Sequence, residues 1–248
     1  MAADIRNRWP RAIAVQFAFA TIGAILTPAM AGSFSVTPVR IYMTPRDRAV
    51  AVTIVNEGDT EVALQADLNT WTQKADGEDQ LVLTEDMILS PPIMKVPPRG
   101  RQVVRLAMLK PPDASRQLTY RLIVREVPEA TMPKDQVLQI PISLAMSMPV
   151  FITPPAAKRD MSCAIGRAAD QALTAQCANI GSAYAQVREI VVKRDNQVVG
   201  RFEGGTYILP GARKLIPIEK TQGAAGGALH MSVTFDDGKS QDFDLSLP

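Results

Sequence analysis

Across residues 137–150 the side chains alternate strictly. Leu138, Ile140, Ile142, Leu144, Met146, Met148 and Val150 are apolar, and between them stand Gln139, Pro141, Ser143, Ala145, Ser147 and Pro149. A period of two predicts one long β-strand with an apolar face and a polar or small face. Both prolines fall on the small face. Proline lacks an N–H to give to a ladder, so it is tolerated at sheet edges. An apolar edge invites pairing with another chain, a hazard that soluble proteins suppress. The pattern predicts a strand that is either covered by its own domain or used to pair with a partner.

The same period recurs along most of the chain. Val50, Val52 and Ile54 alternate, then Val62, Leu64, Ala66 and Leu68, with Asn56-Glu57-Gly58-Asp59 as the turn between the rows. Residues 36–43 read as a further apolar strand that carries Arg40. Val103, Val104 and Leu106 follow a Pro97-Pro98-Arg99-Gly100 corner, and Tyr120, Leu122 and Val124 form another row, with Arg121 and Arg125 on its opposite face. No segment sustains a helical period. Short strands punctuated by turn residues predict an all-β, immunoglobulin-like sandwich. The run Thr153-Pro154-Pro155-Ala156-Ala157 breaks the composition and is read as a hinge. Strand-like text resumes over 173–178, 187–193, 198–202, 215–218, 229–235 and 243–247, with hairpin turns at Asp195-Asn196 and Asp236-Asp237-Gly238.

The amino-terminal text is of another kind. Arg6, Arg8 and Arg11 precede an apolar stretch over 12–26, and Ala29-Met30-Ala31 supplies a small-x-small cleavage pattern. This reads as a cleaved signal peptide over 1–31, because the stretch falls short of the roughly 20 residues a membrane span needs. The expected domains are then 32–153 and 156–248, each about the size of one sandwich. In an exported chain the isolated pair Cys163 and Cys177 usually forms a disulfide; the alternative is two free thiols.

Charge and composition narrow the function. A formal charge of +2 with dispersed Lys and Arg, and only 5% aromatic residues, argue against a nucleic-acid partner. One histidine, His230, and two cysteines do not compose a zinc site. Asp67, Asp76, Glu78, Asp79, Glu85 and Asp86 are not paired by spacing as acid and base, and phosphate-loop and dinucleotide glycine patterns are lacking. The expectation is a binding protein without cofactor, metal or catalytic residues.

Four segments in order carry a resemblance: Thr37-Pro38-Val39-Arg40, Ser90-Pro91-Pro92-Ile93, the run from Arg121 through Arg125 to Pro128, and Val137-Leu138-Gln139-Ile140. Together they resemble the periplasmic pilus-assembly chaperones, and the Pro149-Val150-Phe151 text is similar to the archaic branch. The resemblance implies two immunoglobulin-like β-sandwich domains joined by a hinge in a boomerang. It implies a partner too: a pilus or fimbrial subunit that lacks its last strand and is completed by the chaperone's seventh strand, then delivered to an outer-membrane usher. Leu138, Ile140, Ile142 and Leu144 match the side chains placed in the subunit's groove, while Met146, Met148 and Val150 are candidates for the chaperone's own core. Arg40 matches the cleft arginine that grips the subunit's terminal carboxylate through a guanidinium fork. The family's second anchor, a lysine before the hinge, is missing from 147–149, which leaves Arg121 and Arg125 as candidates. Thr153 stands where many relatives carry an interdomain arginine. Self-association is one way to cover the strand before a subunit arrives. The competing reading is an exported structural or adhesive β-sandwich protein of a surface fibre; a secreted hydrolase ranks below it.

Overall fold

A computed structural model describes residues 34–109, 115–128, 143–168, 172–220 and 227–247. Every regular element among them is a strand. The first half holds β1 (Phe34–Thr37), β2 (Ile41–Met43), β3 (Ala49–Asn56), β4 (Val62–Gln73), β5 (Asp79–Leu83), β6 (Met87–Ser90), β7 (Ile93–Val96), β8 (Arg101–Met108), β9 (Leu118–Glu126) and β10 (Ala145–Ile152). The second half holds β11 (Met161–Arg167), β12 (Leu173–Asn179), β13 (Ala185–Arg194), β14 (Gln197–Ile208), β15 (Arg213–Lys220), β16 (Gly227–Phe235) and β17 (Ser240–Leu247).

The first ten strands form two sheets, β1-β3-β8-β6 and β2-β10-β9-β4-β5, with β7 also paired to β4. Their inner rows, among them Ile54, Leu64, Leu106, Leu122 and Val150, are buried in one core. This is the alternation legible in the sequence, because one face of each strand leaves water and the other does not. The last seven strands form a single sheet, β11-β12-β15-β14-β13-β16-β17. Gln241 Nε2 on β17 donates to Met161 O on β11 (2.9 Å), so its first and last strands meet around a second core. Cys163 and Cys177 are register partners on β11 and β12 and are disulfide-bonded.

Three expectations change. Residues 36–43 are not one strand: the chain leaves β1 at Pro38, bends at Val39 and Arg40, and re-enters as β2 in the opposite sheet. Arg40 therefore sits in a bend, free of a ladder. The strand expected over 137–150 is described only from Ser143, and its regular part runs to Ile152, with 129–142 outside the described residues. Nor is it wholly an edge. Val150, Phe151 and Ile152 lie between parallel β2 and antiparallel β9, whereas among the described residues 145–149 pair with β9 alone.

The two sandwiches repeat one device. At the end of β3, Asn56 Nδ2 donates to Thr60 O (2.7 Å), Val96 O (3.0 Å) and Pro97 O (3.1 Å), and its Oδ1 accepts from Gly58 N. At the end of β12, Asn179 Nδ2 donates to Ala183 O (2.8 Å) and Ile208 O (2.9 Å), and its Oδ1 accepts from Gly181 N. Each buried amide satisfies the backbone carbonyls that the turn strands away from water.

Candidate functional site

Arg40 opens the site. Its guanidinium Nη1 donates to Asp236 Oδ2 at 3.1 Å, and Asp236 belongs to the β16–β17 turn of the second sandwich. The same oxygen accepts from the Tyr184 hydroxyl (2.9 Å), and that hydroxyl lies 3.0 Å from the hydroxyl of Tyr42 on β2. Tyr184 lies in the segment between β12 and β13, so the cluster joins the two sandwiches. Hydrogen bonding to Tyr42 holds the Arg40 guanidinium above its ordinary pKa against the opposing effect of burial. Burial first, then bonding to Tyr42 and the Asp236 carboxylate, pushes the Tyr184 hydroxyl up as well. Arg40, Tyr42, Lys158, Arg159, Asp236 and Lys239 border an open cleft. Arg159 is committed to Asp237 and to the face of Phe235, 3.8 Å away.

Aromatic rings floor the junction. Phe151 stacks on Tyr184 with centroids 4.0 Å apart, and Tyr42 covers it at 5.8 Å. Trp71 meets Tyr207 edge-on at 5.2 Å. Trp71 and Phe151 occupy rows of β4 and β10 that alternation assigns to solvent, yet both are fully buried, because the second sandwich covers that end of the sheet. Gln117, also buried, bonds across the junction: its Nε2 donates to Thr153 Oγ1 (2.6 Å), its Oε1 accepts from Tyr184 N (2.8 Å), and its N donates to Ser182 O (3.0 Å). At Thr153, where the resemblance leads one to look for an arginine, the link is made by neutral hydrogen bonds.

The other arginines take separate places. Arg121 on β9 lies directly across from Pro149 on β10, with its guanidinium 3.8 Å over the Trp71 ring and 5.6 Å from Tyr207. Burial lowers its pKa, with Asp79 opposing. Burial pushes the Tyr207 hydroxyl up, and the charges of Arg40 and Arg121 oppose it. Arg125 is ion-paired with Asp67 on the neighbouring strand β4. It lies four residues beyond Arg121, roughly 13 Å along β9. His230 Nδ1 is 2.9 Å from Asp244 Oδ1, between β16 and β17 of the second sandwich.

On the strand, Met148 and Val150 are buried in the first core and Met146 packs against it. Leu144, 40% exposed, continues the row past the sandwich, while Glu126 N donates to Leu144 O (2.9 Å). Leu138, Ile140 and Ile142 lie outside the described residues. Nothing in the sequence marked Tyr184, Asp236, Gln117, Trp71 or Phe151 as a site residue, since each acts through a neighbour distant in the chain.

Fold and cleft define a class: an all-β protein of two sandwiches with a charged, aromatic-floored cleft where they meet. The chain belongs to the family described as pili and flagellar-assembly chaperone, PapD N-terminal domain, which matches residues 33–158. It is 25% identical over 152 residues to chaperone protein FimB/FhaD of Bordetella pertussis, a match covering 59% of this chain and 61% of that relative's length. The fold is similar to that in the CsuC–CsuE chaperone–tip adhesion subunit pre-assembly complex of Acinetobacter baumannii, with a TM-score of 0.62 at 18% identity, covering 87% of this chain and 99% of the other. The CupB2 chaperone of Pseudomonas aeruginosa has a TM-score of 0.54 at 19% identity, covering 86% and 100%.

Proposed function

We propose that this chain is a periplasmic chaperone that lends a strand to pilus or fimbrial subunits and delivers them to an outer-membrane usher, without catalysis or cofactor. Residues 1–31 serve as the export signal, 32–153 form the subunit-binding sandwich, and 156–248 form the second. The observation that carries the reading is the pairing of β10: among the described residues, 145–149 bond to β9 on one side only, and the exposed Leu144 continues the row outward. A subunit strand can pair with that free backbone edge. Leu138, Ile140, Ile142 and Leu144 would then enter its groove, each contributing about 1.5–3 kcal/mol when fully buried.

Arg40 supplies the anchor for the subunit's terminal carboxylate at the inner end of this edge. That contact fixes register, and register decides which face each side chain occupies. Arg121 is the better candidate for a second cation. It faces Pro149 across the ladder and lies over Trp71 and beside Tyr207 at the junction, while Arg125 is committed to Asp67. Co-expression with a pilus subunit should give a one-to-one complex. Arg40→Ala should lower capture about 10- to 100-fold while the protein still folds. A folded Arg40→Ala protein with undiminished capture would overturn the anchor, and a wild-type chain that captures no subunit would overturn the reading.

A further inference from the structure

Arg40 does not face an empty cleft: a carboxylate of the chain itself already touches it. The Asp236 side chain is 12% exposed and that of Arg40 33%, so the aspartate is the more deeply held of the two. Its backbone N donates to Gln186 O (3.1 Å), and Gly238, at φ +76°, closes the turn with Gly238 N donating to Phe235 O (3.0 Å). Tyr184 holds the same carboxylate oxygen and is itself clamped by stacking on Phe151. Moving Arg40 away would leave this carboxylate mostly buried with its cationic partner gone, which is costly.

We infer that Asp236, braced by Tyr184, is the positioning residue for Arg40: it holds the guanidinium so that the remaining N–H donors present themselves to a partner's carboxylate. The inference rests on the reading that Arg40 receives that carboxylate. A guanidinium has five N–H donors in a rigid fork. Asp236 takes one at Nη1, and a fork fixed along one edge loses little further freedom on binding along another. The facing charges are Asp236, Asp237, Lys158, Arg159 and Lys239 from the second sandwich and its approach. Asp237 and Arg159 neutralise each other. Asp236 therefore also lowers the net positive field at Arg40, favouring recognition by geometry over attraction of any anion.

The test compares one pilus subunit in two forms, native and with a Gly-Gly extension that displaces its terminal carboxylate. Wild type should favour the native form about tenfold, as one charge-assisted contact allows. Asp236→Asn should reduce that preference below about threefold, mainly by weaker capture of the native form. Tyr184→Phe should fall between them. Undiminished preference in Asp236→Asn, or tighter capture of the native form, would make the aspartate a bystander or a competitor and overturn the inference. Equal weakening of both forms would reduce it to a strut between sandwiches, again overturning it. If Asp236→Asn does not fold, Asp236→Glu, which keeps the charge but displaces it, is read by the same criteria. A wild-type chain without preference, matched by Arg40→Ala, would instead sink the anchor reading itself.

Discussion

Arg40 and Asp236 lie 196 residues apart in the chain, yet Nη1 of one donates to Oδ2 of the other at 3.1 Å. The pair bridges a bend of the first sandwich and a turn of the second. Partly exposed ion pairs contribute about 1 kcal/mol or less, so this contact orients more than it stabilises. The larger attachment is apolar, through Phe151, Tyr184, Tyr207 and Trp71.

Phe151 is a strand residue of the first sandwich buried in the core of the second. Phe151→Ala should cost about 3–5 kcal/mol and strip Tyr184 of its stacking partner. Calorimetry should resolve a single unfolding transition into two. One unsplit transition at the wild-type temperature would show that the ring does not couple the sandwiches.

Met148 and Ile140 fall on one alternating row but are assigned to different cores. Met148→Asp places an unpaired carboxylate in the first core and should prevent stable folding. Ile140→Asp should fold with a melting temperature near wild type and lose subunit capture. The opposite ranking in thermal melts would return Ile140 to the chain's own core.

The two corner asparagines should respond alike. Asn56→Ala and Asn179→Ala each leave buried carbonyls without a donor, for a loss of about 3 kcal/mol. Urea titration of each variant checks this, and a loss in only one would end the claim that the corners are equivalent.

Tyr120 makes alkaline stability testable. Burial, then the charge of Asp86 and a hydrogen bond to it (3.3 Å), pushes its hydroxyl from 10.0 up to about 12. The folded state holds this proton more tightly than the unfolded state. The associated stability is complete below pH 10 and is lost as pH rises to about 12. In Tyr120→Phe the decline across that window should be shallower; an identical slope would show that Tyr120 does not drive it.

The disulfide should be a local staple. Cys163→Ser with Cys177→Ser should lower stability by about 3 kcal/mol in the chain-entropy picture, with the loss confined to the second sandwich. Hydrogen exchange can follow the sandwiches separately, and equal loss of protection in both would contradict confinement.

The β character, most long strands and the inner row Met146, Met148 and Val150 were legible in the alternation of side chains. Alternation records burial against a single sheet face, and that is a local property. Two hairpin turns were legible for a related reason: Asp195 and Asn196 in one and Gly238 in the other adopt positive φ, which short polar side chains and glycine tolerate. The exposed strand β5 went unread because none of its residues is buried and no alternation marks it. Arg40 could be singled out but not placed, since Pro38 redirects the chain between sheets. Only the tertiary structure brought Asp236 and Tyr184 to Arg40, set Gln117 across the junction and buried Phe151 and Trp71 on their outward rows. Those positions are decided where one sandwich covers the other, and a pattern confined to neighbouring residues carries no record of a surface contributed from elsewhere in the chain.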